Sequence, residues 1–347
     1  DSGLIVCGPS DRPAPERTAL SALARASGFP VVADPLSGHR FGPHVNGISV
    51  CGGYDGYLSA IETTPDVVVR FGASPTSKPL RNYLAEAGGR QFLVDPAGGW
   101  REATFTATDL VVADETRLAS ALASALDREA GPYAARLAEA ESIYWEHIEG
   151  KEPAEGAVLA DVARLAPDPA TLFVSNSMPI RDLDRFGKPR AVALTVLGNR
   201  GASGIDGITS TALGAGYGTT DPLVLVTGDL AYYHDMNGLL AVARAGVDAT
   251  IVCLNNDGGG IFHLLPIEDH DSFGEWFRTP HGLDFAPSAD LYDLAFARTD
   301  NRGEFRDLYR ESLGGEGTRV IEVMTDSQRN HDERRELEET VVEELSE

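Results

Sequence analysis

The sequence predicts an α/β protein made of two doubly wound parallel-sheet domains, on three observations. Short β-branched or apolar runs alternate with helical patterns along nearly the whole chain, as βαβ units covered on both faces do. The length of 347 residues is large for one core and natural for two. Between the two series lies a charged, mostly helical stretch with breakers at both ends, Gly131 and Pro132 at its start and Gly150 and Pro153 at its finish. The expected divisions are residues 1–130, 131–153 and 154–347.

In the first series, strands are expected at 4–7, 31–33, 67–71, 92–95 and 110–113, with helices at 18–26, 80–85 and 118–126. After the first strand the run Gly8, Pro9, Ser10, Asp11, Arg12 lacks the glycine fingerprint that holds a dinucleotide's pyrophosphate. This domain is therefore Rossmann-like in pattern only. The second series gives helices at 157–165, 208–217, 236–244 and 289–297 and strands at 172–174, 192–196, 223–226, 251–254 and 320–323. The tail, 328–347, sets Leu337, Val341, Val342 and Leu345 at helical spacing among acids, as an amphipathic terminal helix does.

Charge narrows the class of partner. There are 53 acidic and 29 basic residues, a formal net charge of -24, and lysine occurs only at Lys78, Lys151 and Lys188. Such a surface repels nucleic acid and anionic membranes. Dense carboxylates are tolerable where salt screens them over a few ångströms, which points to a halophilic source. Cys7, Cys51 and Cys253 lie far apart in or beside apolar stretches and read as buried thiols of a reducing cytoplasm. No apolar run approaches a membrane span. The chain starts at Asp1 and enters a strand-like run almost at once, so an upstream portion is expected to have been removed.

The chemistry concentrates in the second series. The apolar run 223–226 delivers Gly228, Asp229 and Leu230, and the run 251–254 delivers Asn255 and Asn256. Both sets then fall at the carboxyl ends of parallel strands, where open α/β sheets bind ligands. A carboxylate and an amide oxygen, joined by a backbone carbonyl and two diphosphate oxygens, supply five of the six positions of the hard-oxygen octahedron that Mg²⁺ prefers. The run Gly258, Gly259, Gly260 lets backbone approach a phosphate, and a helix starting near Ile261 would offer it free N–H groups. Taken singly, each piece has an ordinary reading as a turn. His234, His263, His270 and His281 lack zinc spacing and receive no role.

Together, Gly228-Asp229-Leu230, Asn237 and Asn255-Asn256 resemble the motif of the thiamine-diphosphate enzymes. Three segments narrow the resemblance. Asn176 to Asp182, Gly198 to Gly207 and the loop Asn256 to Pro266 are similar to those of the synthases that decarboxylate 2-oxoglutarate and add the fragment to isochorismate in menaquinone biosynthesis. The resemblance implies a central domain and a diphosphate-binding domain, with thiamine diphosphate held through Mg²⁺ by Asp229, Asn256 and the Gly258 carbonyl. It implies that Ser177, Arg181 and Arg200 line the substrate pocket, the arginines following strand-like runs in loops rich in small residues. Guanidinium binds carboxylate bidentately, which suits substrates carrying several. Lys78 matches a substrate-binding lysine, although the neighbouring arginine of the family is here Pro79, leaving Arg81 as a substitute. Ile205 would prop the cofactor's ring, and Ile261, Phe262 and Leu265 would wall the site. The family assembles as homodimers or homotetramers, and an activating glutamate comes from an N-terminal pyrimidine-binding domain of a partner subunit. This chain alone is therefore expected to hold the cofactor's diphosphate without turnover. Alternatives are an acetolactate-synthase-type enzyme, which a flavin absorbance band would reveal, and a non-catalytic module that kept the fold.

Overall fold

The computed structural model describes residues 2–346. The chain forms two units. The first takes in the chain as far as Glu149, together with Asp184–Ala193 and the C-terminal segment from Leu337; the second comprises Gly150–Leu183 and Leu194–Glu336.

In the first unit β1 (Gly3–Cys7), α1 (Arg17–Ser27), β2 (Val31–Ala33), β3 (Val50–Cys51), α2 (Tyr54–Tyr57), β4 (Val67–Phe71), α3 (Lys78–Glu86), β5 (Arg90–Val94), β6 (Asp109–Val111), α4 (Glu115–Ala125) and α5 (Pro132–Ile148) follow in order. The sheet runs β3-β2-β1-β4-β5-β6, every pairing parallel. Strand β1 is buried throughout, as a strand covered on both faces must be, and Ile5, Val31, Val69 and Phe71 share one core with Leu20 and Leu23 of α1. Helix α1 stops at Gly28, whose φ of 68° is a left-handed conformation that costs glycine little. The stretch expected to connect the domains is the long helix α5. It buries Tyr133, Leu137, Ala140, Tyr144 and Ile148 along one stripe, and Glu141 accepts hydrogen bonds from the backbone N–H groups of Gly52 and Gly53.

The second unit continues with α6 (Ala154–Leu165), β7 (Ala170–Val174), α7 (Met178–Phe186, which from Asp184 belongs to the first unit), β8 (Leu194–Leu197), α8 (Ile208–Tyr217), β9 (Leu223–Gly228), α9 (Asp229–Asp235), α10 (Leu240–Ala245), β10 (Ala249–Asn255), α11 (Ala286–Leu291), β11 (Ala295–Thr299), α12 (Arg302–Gly314), β12 (Arg319–Met324) and α13 (Ser327–Ser346, likewise of the first unit from Leu337). Its sheet runs β11-β12-β10-β9-β7-β8, again wholly parallel. The order reverses between β7 and β9, which makes the crevice at their carboxyl ends the topological switch point. Phe173, Leu225, Ile251, Cys253 and Val320 form the core with Ile208 and Leu213 of α8. Among the described residues no helix is long and apolar enough to cross a membrane.

Several expectations are corrected. The helix expected at 289–297 is the short α11 followed by strand β11, because Leu294 and Phe296 pack on the sheet's core and override the helical spacing. Arg181 lies on helix α7 rather than in a loop. The helix expected near Ile261 is one turn of 3₁₀ helix, Gly260–Leu264. The helix expected at 236–244 is a 3₁₀ turn, Met236–Leu239, leading into α10.

Candidate functional site

Strands β9 and β10 lie side by side in register, Leu254 paired with Gly228, so the residues that follow them emerge together. Asp229 opens α9 and is buried. Its Oδ1 accepts from its neighbour Leu230 N at 2.6 Å, while Oδ2 accepts from Gly258 N at 2.9 Å and faces His281 Nε2 at 3.2 Å. Burial pushes the Asp229 carboxyl above its ordinary range, and the two N–H groups and His281 offset part of that. A buried carboxylate of this kind is one that a cation would stabilise.

Asn256 is also buried. Its Nδ2 donates to Glu155 Oε1 at 2.7 Å, and its Oδ1 has no hydrogen-bond partner among the described residues. An amide oxygen held away from water without a donor is costly, on the order of 1–3 kcal/mol, unless a donor or a cation meets it. Gly258 has a φ of 139°, and a Cβ there would sit 2.1 Å from the Arg278 carbonyl oxygen, to which Gly259 N donates at 2.7 Å. Only glycine allows the loop so close to its neighbour. Asp257, itself at a φ of 58°, braces the loop by accepting from His281 N and Gly282 N at 2.9 and 2.7 Å.

These groups face one cavity of about 160 Å³ at the switch point. Of the residues singled out from sequence, Ser177, Ile205, Gly228, Asp229 and Leu230 line it. Asn256, Gly258, Ile261 and Phe262 complete that wall, but Leu265 is half exposed and does not take part. Ser177, at a φ of 70°, directly follows Asn176, whose Nδ2 donates to Gly204 O at 2.7 Å and whose Oδ1 accepts from Arg200 Nη1 at 3.3 Å. Arg181 Nη1 donates to the Ser177 carbonyl at 2.7 Å. Neither arginine lines the cavity. Lys78 belongs to the first unit, where it is exposed and opens α3 behind the capping Ser77. A larger hollow, about 450 Å³, lies at the amino ends of β9 and β10 around Asp221 and Asp248. Strand ends of that polarity are not where open parallel sheets take ligands, so the smaller cavity is the candidate.

Sequence reasoning missed Glu155 and gave His281 no role, while Asn176 and Asp257 fell within the resembling segments without a role of their own. Glu155 looks like an ordinary acidic residue in the first turn of a helix, and only the fold carries it to Asn256. Its carboxyl is pushed up to about 7, first by burial and then by the charge of Asp182. His281 lies 52 positions from Asp229, with no spacing signature to link them.

Strand ends, acid, amide and glycine loop are those of a cofactor-binding α/β domain, and residues 188–323 match the family model described as thiamine pyrophosphate enzyme, C-terminal TPP binding domain. Over these residues the chain is similar to the thiamine pyrophosphate enzymes. More narrowly, it is 74% identical over 99% of its length to the 2-succinyl-5-enolpyruvyl-6-hydroxy-3-cyclohexene-1-carboxylate synthase of Natronomonas pharaonis, of which it covers 59%. It is 60% identical to the synthase of the same name from Haloarcula marismortui, covering 60% of that protein, and 44% identical to that of Roseiflexus sp., covering 57%. The chain thus spans about three fifths of the length of these relatives.

Proposed function

We propose that this chain contributes the central and diphosphate-binding domains of a synthase that decarboxylates 2-oxoglutarate and adds the resulting four-carbon unit to isochorismate, giving 2-succinyl-5-enolpyruvyl-6-hydroxy-3-cyclohexene-1-carboxylate and carbon dioxide. The observation that carries the reading is that the buried Asp229 carboxylate and Asn256, whose Oδ1 has no hydrogen-bond partner among the described residues, line one cavity. Hard oxygen donors suit Mg²⁺, and the Gly258 carbonyl is the third protein oxygen in the proposed set. At about 160 Å³ the cavity is smaller than the roughly 300–1,000 Å³ of whole ligand pockets. It suits the diphosphate and its metal rather than an entire cofactor.

When bound, thiamine diphosphate supplies the stabilisation of negative charge on carbon that decarboxylation requires. The chain's residues orient and neutralise. Asp229 balances the metal's charge, the glycine loop brings backbone close to the diphosphate, and Ile205 with Phe262 presents an apolar wall that keeps water from the reacting end. Ser177, Arg181, Arg200 and Lys78 are proposed to hold substrate carboxylates. For the arginines this means giving up their bonds to Ser177 O and Asn176 Oδ1, or sharing them with the substrate. We place the protein in the cytoplasm as a homodimer or homotetramer. The test is release of carbon dioxide from 2-oxoglutarate, dependent on isochorismate, thiamine diphosphate and Mg²⁺, by a protein of the relatives' full length. Release that ignores isochorismate would leave the cofactor site standing and remove this acceptor.

A further inference from the structure

An asparagine makes a good metal ligand only if its amide faces the right way. Oxygen and NH₂ are nearly the same size, and a half-turn about the last bond would aim two N–H groups at a cation. Among the described residues, the side chain hydrogen-bonded to the Asn256 amide is that of Glu155. Glu155 Oε1 accepts from Asn256 Nδ2 at 2.7 Å and from Thr325 Oγ1 at 3.0 Å. Thr325 in turn donates its backbone N–H to Asn255 O at 2.8 Å, and the Glu155 backbone N–H is held by Asn330 Oδ1 at 3.0 Å. The carboxylate is thereby fixed by helix α6, by the segment leaving β12 and by α13, and it is buried. With its acceptor turned to Nδ2, the amide has only one arrangement, and that leaves Oδ1 without a hydrogen-bond partner among the described residues, on a side chain that lines the cavity.

We infer that Glu155 is a positioning residue: it sets the amide of Asn256 with its oxygen toward the metal. The inference rests on the cofactor reading above. Partners that orient a ligand in this way typically contribute 10–100-fold to metal affinity.

The experiment is calorimetric titration of Mg²⁺ into the protein in the presence of thiamine diphosphate, with thermal unfolding of the unliganded variants as a control for folding. Glu155→Leu should weaken Mg²⁺ binding by about 10–100-fold. Glu155→Gln, which still offers an oxygen to Nδ2, should recover most of the loss. The distinguishing variant is Glu155→Leu combined with Asn256→Asp. A carboxylate presents oxygen whichever way it turns, so the double variant should bind Mg²⁺ more tightly than Glu155→Leu alone, which a purely structural role for Glu155 does not predict. Wild-type affinity in Glu155→Leu, or a double variant no tighter than the single, overturns the inference and leaves the cofactor site intact. A wild-type protein that takes up no Mg²⁺ with the cofactor overturns both.

Discussion

Arg40 is fully enclosed in the first unit. Its guanidinium donates to Asp184 Oδ1 at 2.6 Å, to Tyr54 Oη at 3.1 Å, and to the carbonyls of Ala33, Gly52 and Gly187. Taking one partner away leaves the other charge buried and uncompensated, which costs far more than an exposed pair is worth. Asp184→Ala should destabilise the protein by about 3–5 kcal/mol, read as a lower midpoint in chemical denaturation. A second buried group is expected to make the unit acid-sensitive. His39 is pushed down to about 3 from 6.5 by burial, helped by the charges of His44 and Arg17. Below pH 6.5 the unfolded chain takes up a proton there that the folded chain refuses. Stability is therefore full above that pH and falls as pH drops toward 3, by an amount of a few kcal/mol. His39→Gln should flatten the dependence of unfolding free energy on pH between about 6.5 and 4; an unchanged slope would assign the acid lability to other groups.

At the scale of elements, the loop after β10 bears most on function. Gly258→Ala forces a left-handed φ on an L-residue and drives its Cβ into the Arg278 carbonyl. Strain of about 1–3 kcal/mol, carried by the loop, corresponds to a loss of about 5- to 140-fold in Mg²⁺-dependent cofactor affinity. At the N-terminus of α12, Asn301 Oδ1 accepts from Gly303 N and Glu304 N, and Asn301→Ala should cost about 1 kcal/mol without touching cofactor binding. The strands that build the site were legible in sequence because buried parallel strands are unbroken apolar runs, as β9 and β10 are. Strand β11 was not, since Ala295, Phe296 and Ala297 suit a helix equally and only pairing with β12 decides. In the cavity, Asp229, Asn256 and Gly258 could be found from local motifs at strand ends. Glu155 and His281 could not, because tertiary packing, not spacing, brings them to Asn256 and Asp229.

The whole molecule carries a net charge of -24, and the relatives from Natronomonas pharaonis and Haloarcula marismortui are proteins of halophiles. Self-repulsion of that size weakens as ions screen it, so the thermal midpoint should rise from low to molar salt; a flat or falling midpoint would contradict this. The same charge means that cofactor binding should be measured at high salt, where the fold is expected to be most stable. The central claim is that Asp229 and Asn256 hold thiamine diphosphate through a divalent metal. Its most direct measurement is calorimetric titration of thiamine diphosphate with and without Mg²⁺, on wild type and on Asp229→Ala. The wild type should bind only when Mg²⁺ is present, and the folded variant should not bind in either condition. Undiminished, metal-dependent binding by Asp229→Ala would contradict the account.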